Sequence, residues 1–277
     1  MASIHKERES ITAVQMQQAI GRIDGSALSA GGRRCKQLLE DWNGDMQPEL
    51  VAPTVFAAVL EAMNPIVVPL IFGDELGPEI LGAGRGGPTH WGLLRTQMFI
   101  EAAAGDMDAA IGSMLPDGQD WNSIFAASLD GAAELLETRL GEPDAGGWSW
   151  GENHRTAPTH PLSALHPDLG ALLDPPGVPC GGGFDTPNNG SFSTSAARLG
   201  FYNVTGMSVN RYIHDPSDWR NSRWIAPLGA SGHPGSPHFA DQSVLWSNVE
   251  TIPQLWDWGD VATAAETTQL LQPAAKM

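Results

Sequence analysis

Five side chains that could do chemistry crowd into one stretch of this sequence: Ser231, His233, Ser236, His238 and Asp241 all lie within Pro227–Gln242. Hydroxyl, imidazole and carboxylate are the parts of a nucleophile–base–orienter set, so the stretch is a candidate Ser/His/Asp triad acting on a carbonyl. Against this, a nucleophilic serine normally sits on a rigid strand-to-helix elbow, and no Gly-x-Ser-x-Gly occurs here. The competing expectation is that these groups fix the loop by hydrogen bonding. A second pair, His154 and His160, invites a metal reading. Their six-residue separation runs through Pro158 and is not the helical i, i+4 spacing of zinc helices, so hydrogen bonds to loop groups are expected and no metal site. Gly82, Gly84 and Gly87 match GxGxxG spacing. No strand leads into them, Pro88 follows, and no Gly-Lys-Ser/Thr is present, so a flexible connection is expected there.

The elements that would position these groups change character along the chain. The run Pro227–Gln242 cannot be a helix or a central strand, because three prolines remove donors and three glycines loosen the backbone. Upstream the pattern is helical. Thr12-Ala-Val-Gln15 fits a capping box opening a helix towards Ile23, and a second helix is expected from Ala30 to Trp42, before an Asn-Gly turn. Glu49 to Met63 is apolar on most sides, as a buried helix would be, and Asn64-Pro65 is expected to end it. Leu93–Ala104 and Ser128–Leu140 complete the helical part, the latter stopped by Gly141. From Glu142 the composition turns to Gly, Pro, Asn, Ser and Trp. Phe201–His214 is the best strand, broken or bulged at Gly206, and Ser222–Pro227 is a second. Gly181–Gly190 is a long irregular segment that something must cover, and Val261–Leu271 is expected to be a terminal helix.

Composition excludes several classes. Among 277 residues, 15 basic and 32 acidic side chains give a formal charge of −17, which repels phosphate backbones and anionic membranes. No nucleic-acid or membrane partner is expected, and no run approaching a membrane span is read from the sequence. The start of the sequence has no apolar core of a secretory signal. Cys35 and Cys180 lack metal or redox spacing, leaving two buried thiols as the favoured reading and one long-range disulfide as the alternative.

The blocks of the second half carry a family likeness. Trp148-Ser-Trp-Gly-x-x-His154, His160-Pro-Leu, Gly181-Gly-Gly-x-Asp185-Thr-Pro, Ser208-Val-x-Arg-Tyr and Asp218-Trp-x-Asn-Ser-x-Trp224 precede Gly229-Ala-Ser-Gly-His-Pro-Gly-Ser-Pro-His-Phe-Ala-Asp-Gln242 with Trp246. In this order they resemble the end of the large (β) subunit of the penicillin acylase family, with the helical part 12–145 resembling, more loosely, what precedes it. The likeness implies an α+β chain forming the C-terminal portion of an N-terminal-nucleophile αββα sandwich, with a helical segment 1–145 and a loop- and strand-rich segment 146–277. It also implies hydrolysis of linear amides by an N-terminal Ser whose α-amine is the base, with an Asn in the oxyanion hole.

The nucleophile does not carry over. Ser26, Ser113, Ser191 and Ser236 each follow Gly, yet none opens a Ser-Asn-x-Trp segment. The expectation is therefore a partial acylase, inactive alone, whose partners are the upstream acylase segments and, in the complete enzyme, a small-molecule amide. A non-catalytic ligand-binding remnant of the fold is the alternative. No catalytic residue is assigned and no cofactor is expected, the family's calcium site lying upstream; family members are typically periplasmic or secreted. Trp150, His154, His160, Arg211, Ser231, His233, His238, Asp241 and Gln242 are expected to be structural signature positions.

Overall fold

The computed structural model describes residues 3–80, 115–142, 147–192 and 202–273. The glycine-rich 82–88 loop and the helix expected over 93–104 lie outside them. The described chain is α+β, with its long helices first and its short strands after residue 189.

Helix α1 (Ile11–Ile20) starts from Ser10, whose hydroxyl accepts the amide of Ala13, and not from a box at Thr12. The reason is a distant carboxylate: Asp185 Oδ2 accepts Thr12 N at 2.9 Å and the Ser10 hydroxyl at 2.9 Å. An anion at a helix N-terminus meets unsatisfied amides and the positive end of the dipole. Helix α2 (Ala30–Glu40) starts where expected, capped by Ser29, and ends two residues short of Trp42.

Helix α3 (Ala52–Ile80) does not stop at Asn64-Pro65. It continues through Pro65 and Pro69 and breaks its helical geometry only at Gly73, where φ is 73°. A proline removes one amide donor, a local cost. Burial of Val67 and Val68 on the far side of it offsets that cost. The segment Ala52–Glu79 is also long and apolar enough, by length and composition, to cross a membrane, which corrects the sequence reading. Its apolarity has a local use, since Val55, Phe56, Val59, Leu60 and Met63 are core residues. Helix α4 (Trp121–Leu140) packs on α3 and α2. It begins two turns before the expected Ser128, because Asp120 caps the amide of Ser123. Gly141, at φ 74°, ends it as expected.

Beyond these come short helices α5 (Trp150–Asn153), α6 (Pro161–Leu165) and α7 (Gly170–Leu173). Strands β1 (Gly190–Phe192) and β2 (Val204–Met207) form an antiparallel pair. Its register slips so that Ser191 faces Gly206 while Phe192 faces Val204, a bulge at the position expected from Gly206. The break in the expected long strand falls instead at 208–210. A three-stranded antiparallel sheet follows, ordered β3 (Arg211–Ile213), β4 (Arg223–Ile225) and β5 (Ile252–Pro253). Helix α8 (Ser243–Ser247) lies before β5, and helix α9 (Trp258–Ala264) after it, three residues earlier than predicted and shorter. The principal core joins the helices to Trp148, Trp150, Phe192 and Tyr202, so the aromatic loops are anchored in the helical layer.

Candidate functional site

The signature positions fall into three interlocked clusters. The first is built on Trp150 and His154. Helix α5 is a single turn fixed by its neighbours: Trp150 N donates to Leu50 O at 2.8 Å and Gly151 N to Pro48 O at 2.7 Å. Gly151 is required there, since a Cβ would lie 2.8 Å from the Pro48 side chain. The Trp150 ring stacks on His154, centroids 4.3 Å apart and planes 13° off parallel, and meets Phe192 edge-on at 5.2 Å. His154 Nδ1 lies 2.8 Å from Tyr202 O. A carbonyl only accepts, so Nδ1 carries the proton and Nε2 presents a lone pair. Nε2 is buried without a partner, with Gly190 packed so closely that a Cβ would come to 2.7 Å. Desolvation outweighs that hydrogen bond and pushes the imidazole down to about 4, so His154 is a neutral core residue at physiological pH.

The second cluster surrounds Arg211, a buried cation without a carboxylate partner in its hydrogen bonds. Its Nη2 donates to Asn188 Oδ1 at 2.7 Å, its Nη1 to Trp246 O at 2.5 Å, and its guanidinium carbon lies 4.5 Å from the Trp246 ring centre. Burial pulls it down to about 10, still charged in water at neutral pH. Gln242 links this group to the next: its Oε1 accepts Ala226 N at 3.1 Å, and its carbonyl accepts Trp246 N at 2.8 Å. Asn188 arrives through Gly182, whose φ of 81° and close approach to Asn188 O exclude any side chain.

The third cluster is the Pro227–Gln242 loop. Ser231 N donates to His238 O at 3.0 Å and Ser236 N to His233 O at 2.9 Å. Ser231 Oγ accepts His233 N, His233 Nδ1 accepts Gly235 N, and Ser236 Oγ accepts His238 N. His238 Nδ1 lies 2.7 Å from Asp241 Oδ2, and its Nε2 lies 3.0 Å from Glu266 Oε1. The His–Asp half of a triad is thus present, but its outer nitrogen faces a carboxylate and not a serine. Among the described residues no serine hydroxyl is hydrogen-bonded to an imidazole nitrogen. The serine hydroxyls and the His233 ring of this loop accept backbone amides.

His160 stands apart from His154. Its Nδ1 accepts Leu162 N at 3.2 Å, and its own amide donates to Asp174 Oδ1 at 2.7 Å, so it caps helix α6. No group of three or more metal-ligating side chains occurs among the described residues. Cys35 and Cys180 are free and buried, with desolvation raising their thiols to about 12 and about 11. Sequence reasoning missed the Glu61–Arg139–Tyr202 network. There Arg139 bridges both Glu61 oxygens at 3.0 and 2.7 Å while Tyr202 Oη donates to Glu61 Oε2 at 3.0 Å. Partners 78 and 141 positions apart leave no local signal.

A helical scaffold, short antiparallel strands and interlocked glycine- and tryptophan-rich loops make the described chain α+β. The penicillin amidase family model matches residues 1–263, and the chain belongs to that family. It is 40% identical over 157 residues to the penicillin acylase 2 proenzyme of Pseudomonas sp. strain SE83, covering 57% of this chain and 19% of that protein. It is 28% identical over 194 residues to the acyl-homoserine lactone acylase QuiP of Pseudomonas aeruginosa, covering 64% of this chain and 22% of that protein. The chain thus spans about a fifth of each of these relatives. The thermostable penicillin G acylase from Alcaligenes faecalis aligns over 98% of this chain and 48% of its own, at 14% identity and a TM-score of 0.49.

Proposed function

We propose that this chain furnishes the C-terminal portion of the large subunit of an amidohydrolase that cleaves linear amides, and that it is inactive alone. The observation that carries this reading is the occupancy of its candidate groups. Ser231, Ser236 and His233 are spent on loop amides, His238 on two carboxylates, and His154 is sealed in the core. The nucleophile and oxyanion groups of the family reaction then come from segments upstream of the resemblance, and those segments are the proposed partners. Exposed aromatics such as Tyr212, Trp219 and Trp256 suit a surface covered by such segments. The substrate of the assembled protein would be an amide of the kinds its relatives are named for, a penicillin or an acyl-homoserine lactone.

A mass-spectrometric test with a serine-directed sulfonyl fluoride addresses the site itself. An activated serine forms a stoichiometric adduct, whereas hydroxyls engaged as backbone acceptors do not. No adduct is expected on the purified chain; a stoichiometric adduct at Ser231 or Ser236 would overturn the reading.

A further inference from the structure

Chain from Leu255 to Pro273 is exposed throughout, including Trp258 at 86%. The contacts that tie it to the body are few in kind. The Trp256 ring lies 4.8 Å from that of Trp219, Arg220 attracts Asp257 and Asp260, and Glu266 Oε1 sits 3.0 Å from His238 Nε2. Helix α9 itself buries nothing.

We propose that His238 is a proton-dependent clasp, holding the C-terminal tail to the Pro227–Gln242 loop through Glu266 and releasing it when the imidazole becomes neutral. The geometry carries this. Two carboxylates, Asp241 at 2.7 Å and Glu266 at 3.0 Å, face the two ring nitrogens. A neutral imidazole has one N–H and can donate to only one of them, so satisfying both requires the imidazolium. On deprotonation one carboxylate must face a lone pair. Asp241 is three residues away on the same loop, while Glu266 is 28 residues away on an otherwise exposed tail, so Glu266 is the one that leaves. Asp241 from its own loop and Glu266 from the tail are the charged groups facing His238, and both hold its proton more tightly than in a free histidine. The clasp is therefore closed below the raised value of this histidine and opens as pH rises through it. The family match ends at residue 263, so Glu266 lies outside the family match, and the clasp does not depend on the catalytic reading.

Hydrogen exchange of amides 256–270 in the full chain tests the clasp, with rates converted to protection factors to remove the intrinsic effect of pH. An exposed ion pair biases an equilibrium by about two- to fivefold, so tail protection at pH 5.5 should exceed that at pH 8.5 by that factor. Glu266→Gln should abolish the difference, and His238→Asn should fix the tail in the released state at both pH values. Both positions are exposed, so neither variant threatens the fold. Nitrogen-15 titration of the His238 ring gives a second readout, expected to show both nitrogens protonated at pH 5.5 and a lower midpoint in Glu266→Gln. Equal protection at the two pH values, an unmeasurably unprotected tail, or an unchanged midpoint in the variant would overturn the proposal.

Discussion

Acid should destabilise this chain in part through His154, and the size of that part follows from its burial. In the unfolded chain its imidazole titrates near the ordinary 6.5, whereas in the fold burial holds it at about 4. A folded value below the unfolded one means that stability is complete above pH 6.5 and is lost as pH falls through the window from 6.5 to 4. The separation of roughly 2.5 pH units corresponds to about 3 kcal/mol, most of it gone by pH 4.5. Urea unfolding followed by tryptophan fluorescence at pH 7.5, 6.0, 5.0 and 4.5 measures the curve. Other groups titrate too, so the comparison that isolates His154 is His154→Phe. That variant keeps the stack on Trp150 but removes the His154 hydrogen bond to Tyr202 O, costing about 1–3 kcal/mol at every pH. The gap between wild type and variant should therefore shrink or reverse, by about 2–3 kcal/mol, between pH 7.5 and 4.5. Parallel curves would refute the argument that this imidazole is neutral in the core.

Two other perturbations follow from the same geometry. Gly182→Ala should destabilise severely, by about 4 kcal/mol or more, because the added Cβ would fall 1.8 Å from Asn188 O; Gly118→Ala, also at positive φ but with open space around it, should cost only about 1 kcal/mol. Equal urea midpoints for the two would show that backbone conformation alone sets the cost. Arg211→Met should cost about 2–5 kcal/mol by orphaning Asn188 Oδ1 and Trp246 O, and a variant as stable as wild type in thermal unfolding would contradict the role assigned to this buried cation.

Elements governed by neighbouring residues were legible in the sequence, and those governed by distant partners were not. The start of helix α2 at Ala30 and the Gly141 stop of helix α4 were both expected, and each is set within a turn of the chain by Ser29 and by a glycine at positive φ. The irregular course of Pro227–Gln242 was expected from a run too rich in proline and glycine for regular structure, and there Ser231, His233 and Ser236 accept loop amides. The start of α1 was misplaced because its cap is completed by Asp185, 173 positions away. Helix α3 outran Pro65 because burial beyond the proline outweighs one lost hydrogen bond, a balance set by packing. The strand expected over Phe201–His214 parts at 208–210, where the Trp246 indole takes Ser208 O, a contact no strand propensity reports. The burial of His154 and Arg211 was not legible, because it depends on Tyr202, Asn188 and Trp246 arriving from elsewhere.

Under the proposed function this chain supplies scaffold to an amide hydrolase and has no turnover of its own. Turnover by the purified 277-residue chain tests it most directly, with a phenylacetyl amide, a β-lactam side-chain amide and an acyl-homoserine lactone as substrates. Rates indistinguishable from buffer are predicted for all three. Measurable hydrolysis that disappears in Ser231→Ala would contradict the account and move the chemistry into the loop itself.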